Sequence, residues 1–410
     1  MNAILIKIME NTSIITIITI LSLIIWLYLL LFRGKFWLSN QKIDPEKISL
    51  TTYPSVCVVI PARNEADVLP VSLISLLNQD YLGDFKIILV DDQSDDGTTE
   101  IAYELATIFD KTDRLTVISG ELLSSGWSGK LWAMEQGIKY IKEQNLHPDY
   151  ILFTDADIEH HKTNLRELVG KSQQENLALT SLMVRLRCQS IWEQFLIPAF
   201  VFFFEKLYPF LWVNDPHHKM AAAAGGCILI RQDILEQVGG LEIVRQALID
   251  DCSLAAAVKL KLQDVSENPP QGIWLGLSEK TCSLRPYDSL ETIWDMVART
   301  AYTQLNYSPL LLIGTVMGLT IIYIVPPVSL IWGLVVGNSL ITSLGGITWL
   351  LMSISYLPTL RLYKTSLLWS ISLPAISFLY LLMTIDSALR HWRGKGGRWK
   401  GRVYSVDHLS

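Results

Sequence analysis

Apolar residues are concentrated near the two ends of this chain, and this distribution limits the folds available to it. Residues 13–32 form a run of 20 positions without a charged side chain, long enough to cross a lipid bilayer as a helix. Residues 309–386 form a second apolar block, interrupted mainly by Pro326-Pro327, Gly345-Gly346 and a short charged stretch. We therefore predict a transmembrane anchor at 13–32 and a C-terminal transmembrane block of three or four segments at 309–388.

The charges beside the first apolar run predict its orientation. Arg33 and Lys35 follow it closely, so the positive-inside rule places the middle of the chain in the cytoplasm. We expect a retained anchor and not a cleaved signal peptide, because no small-residue cleavage pattern precedes Arg33. Residues 1–12 then form an N-terminal tail and residues 33–53 a basic linker. The predicted location is the cytoplasmic (inner) membrane.

A basic tail at 389–410 carries six Lys and Arg side chains between residues 390 and 402. Its interleaved Trp residues and its place beside a membrane segment favour binding to anionic lipid headgroups over nucleic acid. A cytoplasmic tail requires an even number of crossings in the C-terminal block, whereas hydropathy gives three segments. Either Pro326-Pro327 divides the first of them in two, or one segment is re-entrant.

Several common kinds of site are disfavoured by the sequence. The five cysteines form no C-x-x-C pair, which fits reduced thiols and disfavours a disulfide framework or a zinc site. No G-x-G-x-x-G follows the first predicted strand, and there is no Walker A motif. A dinucleotide site and a P-loop are therefore disfavoured.

Residues 54–288 predict an α/β domain. Apolar, β-branched runs at 55–60, 86–90, 114–118, 150–154 and 227–231 are typical of strands, and helical patterns fall at 65–79, 98–109, 130–144, 162–175, 232–238 and 252–262. Their alternation indicates βαβ units and a mostly parallel sheet. Residues 289–308 predict an amphipathic helix on the membrane surface. The apolar stretch 195–213 is interpreted as another interfacial element, with a core helix as the alternative.

Asp155 and Asp157 follow directly after the predicted strand 150–154. The carboxyl ends of strands are where open α/β sheets bind their ligands. Two hard carboxylate oxygens at this place suit a divalent cation, Mg²⁺ or Mn²⁺, that also carries phosphate oxygens. The alternative is that Asp157 caps the helix predicted at 162–175.

Polar clusters at the predicted strand ends resemble the motifs of the family 2 glycosyltransferases, which have the GT-A fold. The matching residues are Pro61-Ala62-Arg63-Asn64-Glu65 (P-x-x-N-E), Asp91 to Thr98 (D-D-x-S-x-D-G-T), Gly129-Lys130-Leu131-Trp132-Ala133 (G-K-x-x-A), Asp155-Ala156-Asp157 (DxD), Gly225-Gly226 (the acceptor loop) and Asp250-Asp251 (the E-D pair). The resemblance covers about residues 54–300. It implies a nucleotide-diphospho-sugar transferase fold and an enzyme that transfers a sugar.

The resemblance also implies a role for each motif. Asp92 would accept a hydrogen bond from the donor's base, expected to be uracil, with Pro61, Ala62, Arg63, Glu65 and Lys130 completing the nucleotide-sugar site. Asp155 and Asp157 would hold Mg²⁺ or Mn²⁺ against the diphosphate. Asp251 would act as general base on the acceptor hydroxyl, with Asp250 orienting it. Direct displacement with a single base inverts the anomeric centre.

Each of these residues has a simpler alternative. Asp250 and Asp251 would favour the N-terminus of the following helix through its dipole. Lys130 would be a solvated surface lysine. His160-His161 and His217-His218 have no ligand spacing and are interpreted as surface or loop histidines.

The stretch Val297-Ala298-Arg299-Thr300-Ala301 departs from the Q-x-x-R-W motif of processive polysaccharide synthases, which disfavours polymer synthesis. Closer similarity is to the hopene-associated membrane glycosyltransferases, carried by stretches such as Ser181 to Cys188 and Ser283-Leu284-Arg285-Pro286-Tyr287. This implies transfer of a single sugar to a membrane lipid. A hopanoid is the preferred acceptor, with sphingoid, carotenoid and polyprenyl-phosphate acceptors as alternatives. The rival function is a non-catalytic membrane scaffold or lipid transporter that retains a degenerate GT-A domain.

Overall fold

The computed structural model describes residues 2–263, 271–394, 398–399 and 402–403, with only the backbone described at residues 2–11 and 398–403. The chain divides into two compact units. One comprises the described parts of Met1–Ser39, Cys188–Pro209 and Tyr287–Gly396, and the other those of Asn40–Arg187, Phe210–Pro286 and Gly397–Ser410. We call the first the helical unit and the second the α/β unit.

The described helices are, in chain order, α1 (Asn2–Phe32), α2 (Leu69–Leu77), α3 (Thr98–Ile108), α4 (Gly129–Glu143), α5 (Asn164–Gln174), α6 (Ile191–Leu207), α7 (Phe210–Val213), α8 (Gln232–Gln237), α9 (Asp250–Gln263), α10 (Leu290–Thr300), α11 (Pro309–Leu319), α12 (Val325–Val336), α13 (Ser339–Tyr363) and α14 (Leu373–Trp392). The described strands are β1 (Val56–Ala62), β2 (Phe85–Asp91), β3 (Leu115–Ser119), β4 (Tyr150–Thr154), β5 (Ile158–Glu159), β6 (Leu177–Arg185), β7 (Cys227–Arg231), β8 (Gly272–Ser283) and the short pair β9 (Arg398–Trp399) and β10 (Arg402–Val403).

Within the described α/β unit, the strands β1 to β8 form one sheet in the order β3-β2-β1-β4-β7-β6-β8-β5. Strands β1, β2, β3 and β4 run parallel, as do β6 and β8, while β7 is antiparallel to both of its neighbours. The mostly parallel sheet predicted from the alternating pattern is therefore confirmed. Because β1, β2 and β4 point the same way, their polar carboxyl ends meet at one edge of the sheet.

Sequence pattern located the first half of this sheet and missed part of the second. The apolar runs of β1, β2, β3, β4 and β7 were predicted to within two residues at each end. Strands β6 and β8 were not predicted, and they form a parallel pair that joins the sheet through β7. Their contribution to the site matters, since the residues that follow β8 reach the ends of β1 and β4.

Helix α4 packs tightly on the parallel half of the sheet. A Cβ atom placed on Gly137 would lie 2.5 Å from Cγ1 of Val59 in β1 and 3.4 Å from Cγ2 of Val90 in β2. Both valines are buried. Gly137 is therefore required by close approach of the helix, even though glycine is a poor helix former.

In the helical unit, four described helical segments are long and apolar enough to cross a membrane: Thr12–Phe32, Pro309–Val336, Ser339–Tyr363 and Leu367–Trp392. The first coincides with the predicted anchor. The C-terminal block thus offers three such segments, not four. Three crossings carry the chain to the opposite side of a membrane, so a cytoplasmic middle domain and a cytoplasmic tail cannot both hold if all three segments span. Most of the predicted tail at 389–410 lies outside the described residues.

Pro326-Pro327 does not divide its segment, because the helix continues through a π-helical turn at Thr320–Ile324. Pro326 has no N–H group and leaves the carbonyl of Ile322, four residues earlier, without its helical partner. The indole Nε1 of Trp26 in α1 donates to that carbonyl at 2.8 Å. In a bilayer a freed carbonyl must be satisfied by protein, and here a neighbouring helix supplies the donor.

The apolar stretch 195–213 forms most of α6 and all of α7. One face of α6 is buried inside the helical unit, including Leu196, Ile197 and Phe202. The ring of Phe202 contacts Tyr356 of α13 at a centroid distance of 5.2 Å, and the Leu196 carbonyl accepts from the Tyr380 hydroxyl of α14 at 2.9 Å. This packing favours the core-helix alternative for α6.

The amphipathic pattern predicted at 289–308 corresponds to α10 followed by a 3₁₀ turn at Thr303–Leu305. Asp295 Oδ1 lies 2.6 Å from Nη1 of Arg390 in α14. Trp294 donates its indole N–H to Asp386 Oδ2 at 2.7 Å. Polar contacts to α14 therefore fix this helix.

Replacing Gly137 with Ala should destabilise the protein by about 1–3 kcal/mol, because overpacking against Val59 outweighs the gain in helix propensity. The thermal unfolding midpoint of the detergent-solubilised full chain measures the effect. Lys139→Ala on the same helix is the control, since its side chain is 59% exposed and should change stability by no more than about 0.5 kcal/mol. Equal midpoints for the two variants would contradict the close approach.

Candidate active site

The loops that follow β1 and β2 are hydrogen-bonded to each other. Asn64 and Gln93 both take the left-handed backbone conformation, with φ of 51° and 59°. The Asn64 N–H donates to Ser94 Oγ at 2.9 Å, and the Asp95 N–H donates to Asn64 Oδ1 at 3.0 Å. Asparagine tolerates this conformation better than most residues, and strained backbone of this kind gathers at functional sites.

The two carboxylates of Asp91-Asp92 have different surroundings. Asp91 supports its own loop, accepting from the Ser94 N–H at 2.9 Å and from the Thr99 hydroxyl. Asp92 is fully buried, and its Oδ2 lies 3.6 Å from Nη1 of Arg63. Arg63 also donates to the Asp92 carbonyl at 2.5 Å. Asp91 is thus a structural residue, while Asp92 and Arg63 form a charged pair beside the ends of β1 and β2.

Lys130 lies in the first turn of α4, whose N-cap is Ser128. Its Nζ is 2.6 Å from Oδ1 of Asp155, and only 19% of its side chain is exposed. Burial alone would lower the pKa of Lys130, but the carboxylates of Asp155, Asp250 and Asp251 outweigh it and raise the pKa above its usual range. The interpretation of Lys130 as a solvated surface residue is wrong.

Asp250 and Asp251 occupy the first turn of α9, as the helix-dipole alternative requires. Asp251 also accepts from outside the helix, because its Oδ2 receives the Gly225 N–H at 2.8 Å while Oδ1 receives the Cys252 N–H at 2.7 Å. Burial and the neighbouring Asp250 charge raise the pKa of Asp251 from 3.8 to about 6. A carboxylate with this pKa is suited to accept a proton near neutral pH.

Gly225 lies between the two charged groups. A Cβ atom on Gly225 would be 3.2 Å from Nζ of Lys130 and 3.4 Å from Oδ2 of Asp251. Gly226 is equally confined, since its Cβ atom would lie 3.1 Å from Cγ2 of Val184. The absence of a side chain lets the loop backbone approach the acidic residues and donate to Asp251.

The second DxD carboxylate belongs to a separate ion cluster. Oδ2 of Asp157 accepts from Ser283 Oγ at 3.1 Å and from Arg285 Nε at 3.0 Å. The same guanidinium reaches Glu65 through Nη2, at 3.0 Å from Oε1 and 3.3 Å from Oε2. Asp157 does not cap a helix, because β5 follows it and α5 begins only at Asn164.

Arg285 is the residue that sequence reasoning missed. It lies just beyond β8, and it bridges the carboxylates that follow β1 and β4. Its signal in the sequence was the stretch Ser283 to Tyr287, which carried a family resemblance but no predicted role. His160 lies in the loop between β5 and α5, in agreement with the loop interpretation, but it is buried to 3% exposure and is not on the surface.

The predicted residues, together with Arg285, therefore gather into three groups. Lys130, Asp155, Gly225, Asp250 and Asp251 form one, Glu65, Asp157 and Arg285 form the second, and Arg63 with Asp92 forms the third. Pro61 and Ala62 contribute the buried end of β1, and the Ala62 carbonyl accepts from the Asp92 N–H at 2.8 Å.

The donor atoms suit a divalent cation that arrives with other ligands. No cluster of three or more His, Cys, Asp or Glu side chains forms a complete metal cage within the described residues. The Asp155 side chain is 35% exposed and can accept a ligand from solvent. Mg²⁺ is commonly held by one or two carboxylates together with substrate phosphates and waters. Asp155 fits that arrangement, whereas Asp157 is buried and its Oδ2 is paired with Arg285.

Comparison with known proteins identifies the central part of the chain. Residues 57–239 match the family model described as Glycosyl transferase family 2. These residues are therefore similar to a family 2 glycosyltransferase domain. A stretch of 143 residues, 35% of this chain and 34% of the relative, is 31% identical to 4,4'-diaponeurosporenoate glycosyltransferase from Staphylococcus haemolyticus (strain JCSC1435). The match thus spans about a third of that relative's length.

Among solved structures, the chain resembles a mannosyltransferase from Pyrobaculum calidifontis in complex with GDP-Man and Mn²⁺. The identity is 17% and the TM-score 0.55, covering 93% of this chain and 99% of that chain. This likeness shows the fold. The α/β unit has the GT-A-like arrangement predicted from the motifs, accompanied by helices at both ends that are apolar enough to span a membrane.

With Asp251 as the base that the motif resemblance implies, its raised pKa predicts an acid limb in the pH dependence of sugar transfer. Asp251 must be ionised to accept a proton, so kcat/KM should fall about tenfold per pH unit as the pH drops below about 6. Lys130 stays charged throughout this range, because its pKa is raised. Initial rates in membranes between pH 4.5 and 8 measure the limb. A rate that does not fall between pH 7 and pH 4.5 would contradict the raised pKa of Asp251.

Arg285→Gln should destabilise the protein, because it leaves the buried carboxylates of Glu65 and Asp157 without their shared cation. Breaking a fully buried pair costs about 3–5 kcal/mol, and the 36% exposure of Arg285 reduces the expectation to about 1–3 kcal/mol. Thermal unfolding of the solubilised chain is the measurement. Arg166→Gln is the matched control. Arg166 forms an ion pair with one carboxylate, that of the exposed Asp80, so its loss should lower the free energy of unfolding by no more than about 1 kcal/mol. Similar losses in both variants would contradict a bridging role for Arg285.

Proposed function

We propose that this protein is an inverting, metal-dependent glycosyltransferase that moves one sugar from a nucleotide-diphosphate sugar, expected to be UDP-linked, to a membrane lipid. The observation that carries the proposal is the convergence of Lys130, Asp155 and Asp251 around Gly225 in a family 2 glycosyltransferase domain. It brings a permanent cation, a solvent-accessible carboxylate and a carboxylate of raised pKa into one place.

Asp251 has the properties of the base. Its carboxylate takes the proton from the acceptor hydroxyl while the hydroxyl oxygen bonds to the anomeric carbon and the bond from that carbon to the diphosphate breaks. The Gly225 and Cys252 N–H groups hold its two oxygens in place. Since the acceptor oxygen attacks opposite the leaving diphosphate, the anomeric centre is inverted.

The donor side is built from the other groups. Asp155 and Asp157 are the residues that would hold Mg²⁺ or Mn²⁺, which offsets charge on the departing diphosphate. Lys130 is a second positive charge in the same group and can bind a phosphate oxygen in place of Asp155. Asp92, fixed next to Arg63, is assigned to the donor's base.

The lipid acceptor is inferred from the helical unit and from the sequence. Four segments apolar enough to span a membrane flank or follow the glycosyltransferase domain in the chain. The hopene-associated motifs favour a polycyclic acceptor, and the relative from Staphylococcus haemolyticus is named for 4,4'-diaponeurosporenoate. We assign an apolar, polyprenoid-derived lipid as the acceptor class and retain hopanoid as the first to test. Arg33 and Lys35 support a catalytic domain on the cytoplasmic face of the inner membrane.

Two substitutions separate the roles of the carboxylates. Asp251→Asn should lower sugar transfer by at least about a hundredfold while leaving UDP binding unchanged, because only proton transfer is lost. Asp157→Asn should abolish the Mn²⁺ dependence of donor turnover. The measurement is transfer of radiolabelled sugar into lipid extracts from membranes, with a panel of UDP- and GDP-sugars and with hopanoid or carotenoid lipids added.

Asp233→Asn is the control, since Asp233 is exposed and pairs only with Arg231 among the ion pairs found in the described residues. Full activity of Asp157→Asn would remove the metal assignment, and loss of transfer in Asp250→Asn alone would identify Asp250 as the base. The rival scaffold function predicts no Mn²⁺-dependent binding of UDP by the wild-type protein. Calorimetric titration with UDP, with and without Mn²⁺, distinguishes the two functions.

A further inference from the structure

A buried polar chain links the DxD strand to the acceptor loop. The hydroxyl of Thr154, the last residue of β4, donates to the Gly226 carbonyl at 2.9 Å. On its other side Thr154 Oγ1 lies 2.9 Å from Nε2 of His160. Nδ1 of His160 is 2.9 Å from Nδ2 of Asn164, whose Oδ1 accepts from Thr281 Oγ1 at 3.1 Å.

The hydrogen-bond directions in this chain are all determined. Asn164 Oδ1 is used by Thr281, so its amide nitrogen faces the imidazole and can only donate. His160 Nδ1 must therefore carry a lone pair. Nε2 then carries the proton and donates to Thr154 Oγ1, whose own proton goes to the Gly226 carbonyl. All of these hydrogen bonds form together only when the His160 imidazole is neutral and in the Nε2–H tautomer.

Burial supports this neutral state. His160 is 3% exposed, Thr154 1% and Asn164 4%. Burial lowers the pKa of His160 from 6.5 to about 3, so the ring is uncharged at any pH at which the protein works. The backbone N–H of His160 also donates to Ser75 Oγ of α2 at 2.9 Å, which fixes the residue from a third direction.

This series of hydrogen bonds connects the two loops that carry the proposed catalytic and metal-binding residues. Asp155 and Asp157 lie between Thr154 and His160, and Gly225 precedes the carbonyl that the chain reaches. The Gly225 N–H is the donor that holds Asp251 at 2.8 Å. A displaced Gly226 would therefore move the hydrogen bond to the base, although the hydrogen bonds found for His160 go to Thr154, Asn164 and Ser75 and not to Asp251.

We infer that His160 is a positioning residue that fixes the DxD loop and the Gly225-Gly226 loop relative to each other through Thr154. The inference rests on the proposed function for its catalytic consequence, but the positioning itself is measurable without substrate. Two substitutions divide the imidazole. In His160→Gln the side-chain amide N–H lies near the position of Nε2, so the hydrogen bond to Thr154 is kept. In His160→Asn the shorter amide reaches only the position of Nδ1, so the contact with Asn164 is kept and the hydrogen bond to Thr154 is lost.

Hydrogen–deuterium exchange on the full-length protein in detergent tests the positioning. His160→Asn should speed exchange in peptides covering residues 154–160 and 221–227, where the His160 and Gly225 N–H groups bond to side chains, and leave β1 and β2 unchanged. His160→Gln should exchange like the wild type in the second peptide. Thr154→Val, which keeps the shape of the side chain and removes its hydroxyl, should reproduce the effect of His160→Asn.

Kinetics test the consequence. With UDP-glucose and GDP-Man as donors in membranes, His160→Asn should lower kcat by about 10- to 100-fold with less than about a threefold change in donor KM, and Gln should recover the greater part. If the wild type turns over neither these donors nor any other, the proposed function is wrong, and the exchange result alone decides the role of His160. Unchanged exchange in His160→Asn overturns the inference, whether or not activity is lost. Faster exchange spread over the whole domain also overturns it, since that is the signature of general destabilisation.

Discussion

The site depends on two cations that keep a set of facing carboxylates together. Parallel strands bring their carboxyl ends to one edge of the sheet, so Glu65, Asp155 and Asp157 are gathered there by topology. Buried like charges repel each other strongly where water is scarce. Lys130 opposes Asp155, and Arg285 opposes both Glu65 and Asp157. Without these two side chains the carboxylates would be forced apart or protonated.

The two cations differ in a way that suits two purposes. The Arg285 guanidinium is a planar fork that serves two carboxylates at once and fixes the geometry between the β1 loop and the DxD loop. The Lys130 ammonium is a point charge on a flexible stem and pairs with the more exposed of the DxD carboxylates. Arg285 therefore acts as a permanent support, whereas under the proposed function Lys130 exchanges Asp155 for a phosphate.

The features that could be predicted from the sequence are those set by neighbouring residues in the chain. The apolar runs of β1, β2 and β4 and the acidic residues at or just after their ends gave the sheet edge and the DxD position. Arg285 and His160 could not be found this way. Arg285 meets Glu65 from 220 positions away, and the bond that makes His160 useful passes through Thr154 to a loop 72 positions further along. Strands β6 and β8 were not predicted for a related reason, because their parallel pairing depends on the complete sheet and not on their own sequences. The continuous helix at Pro326-Pro327 could not be predicted from local sequence either, since the donor to the Ile322 carbonyl lies on α1.

Under the proposed function, binding of the donor has to rearrange the charges of this site. Lys130 Nζ and Asp155 Oδ1 are paired at 2.6 Å, so a ligand that takes over either of these two atoms must open the pair. A donor arriving with a divalent cation brings both replacements at once, because the cation can take Asp155 and the diphosphate can take Lys130. A nucleotide without a cation offers a partner only to Lys130 and would leave Asp155 beside further negative charge. The pairing therefore favours cation and donor entering together, which is the physical reason to expect that metal and nucleotide-sugar bind cooperatively at this edge of the sheet.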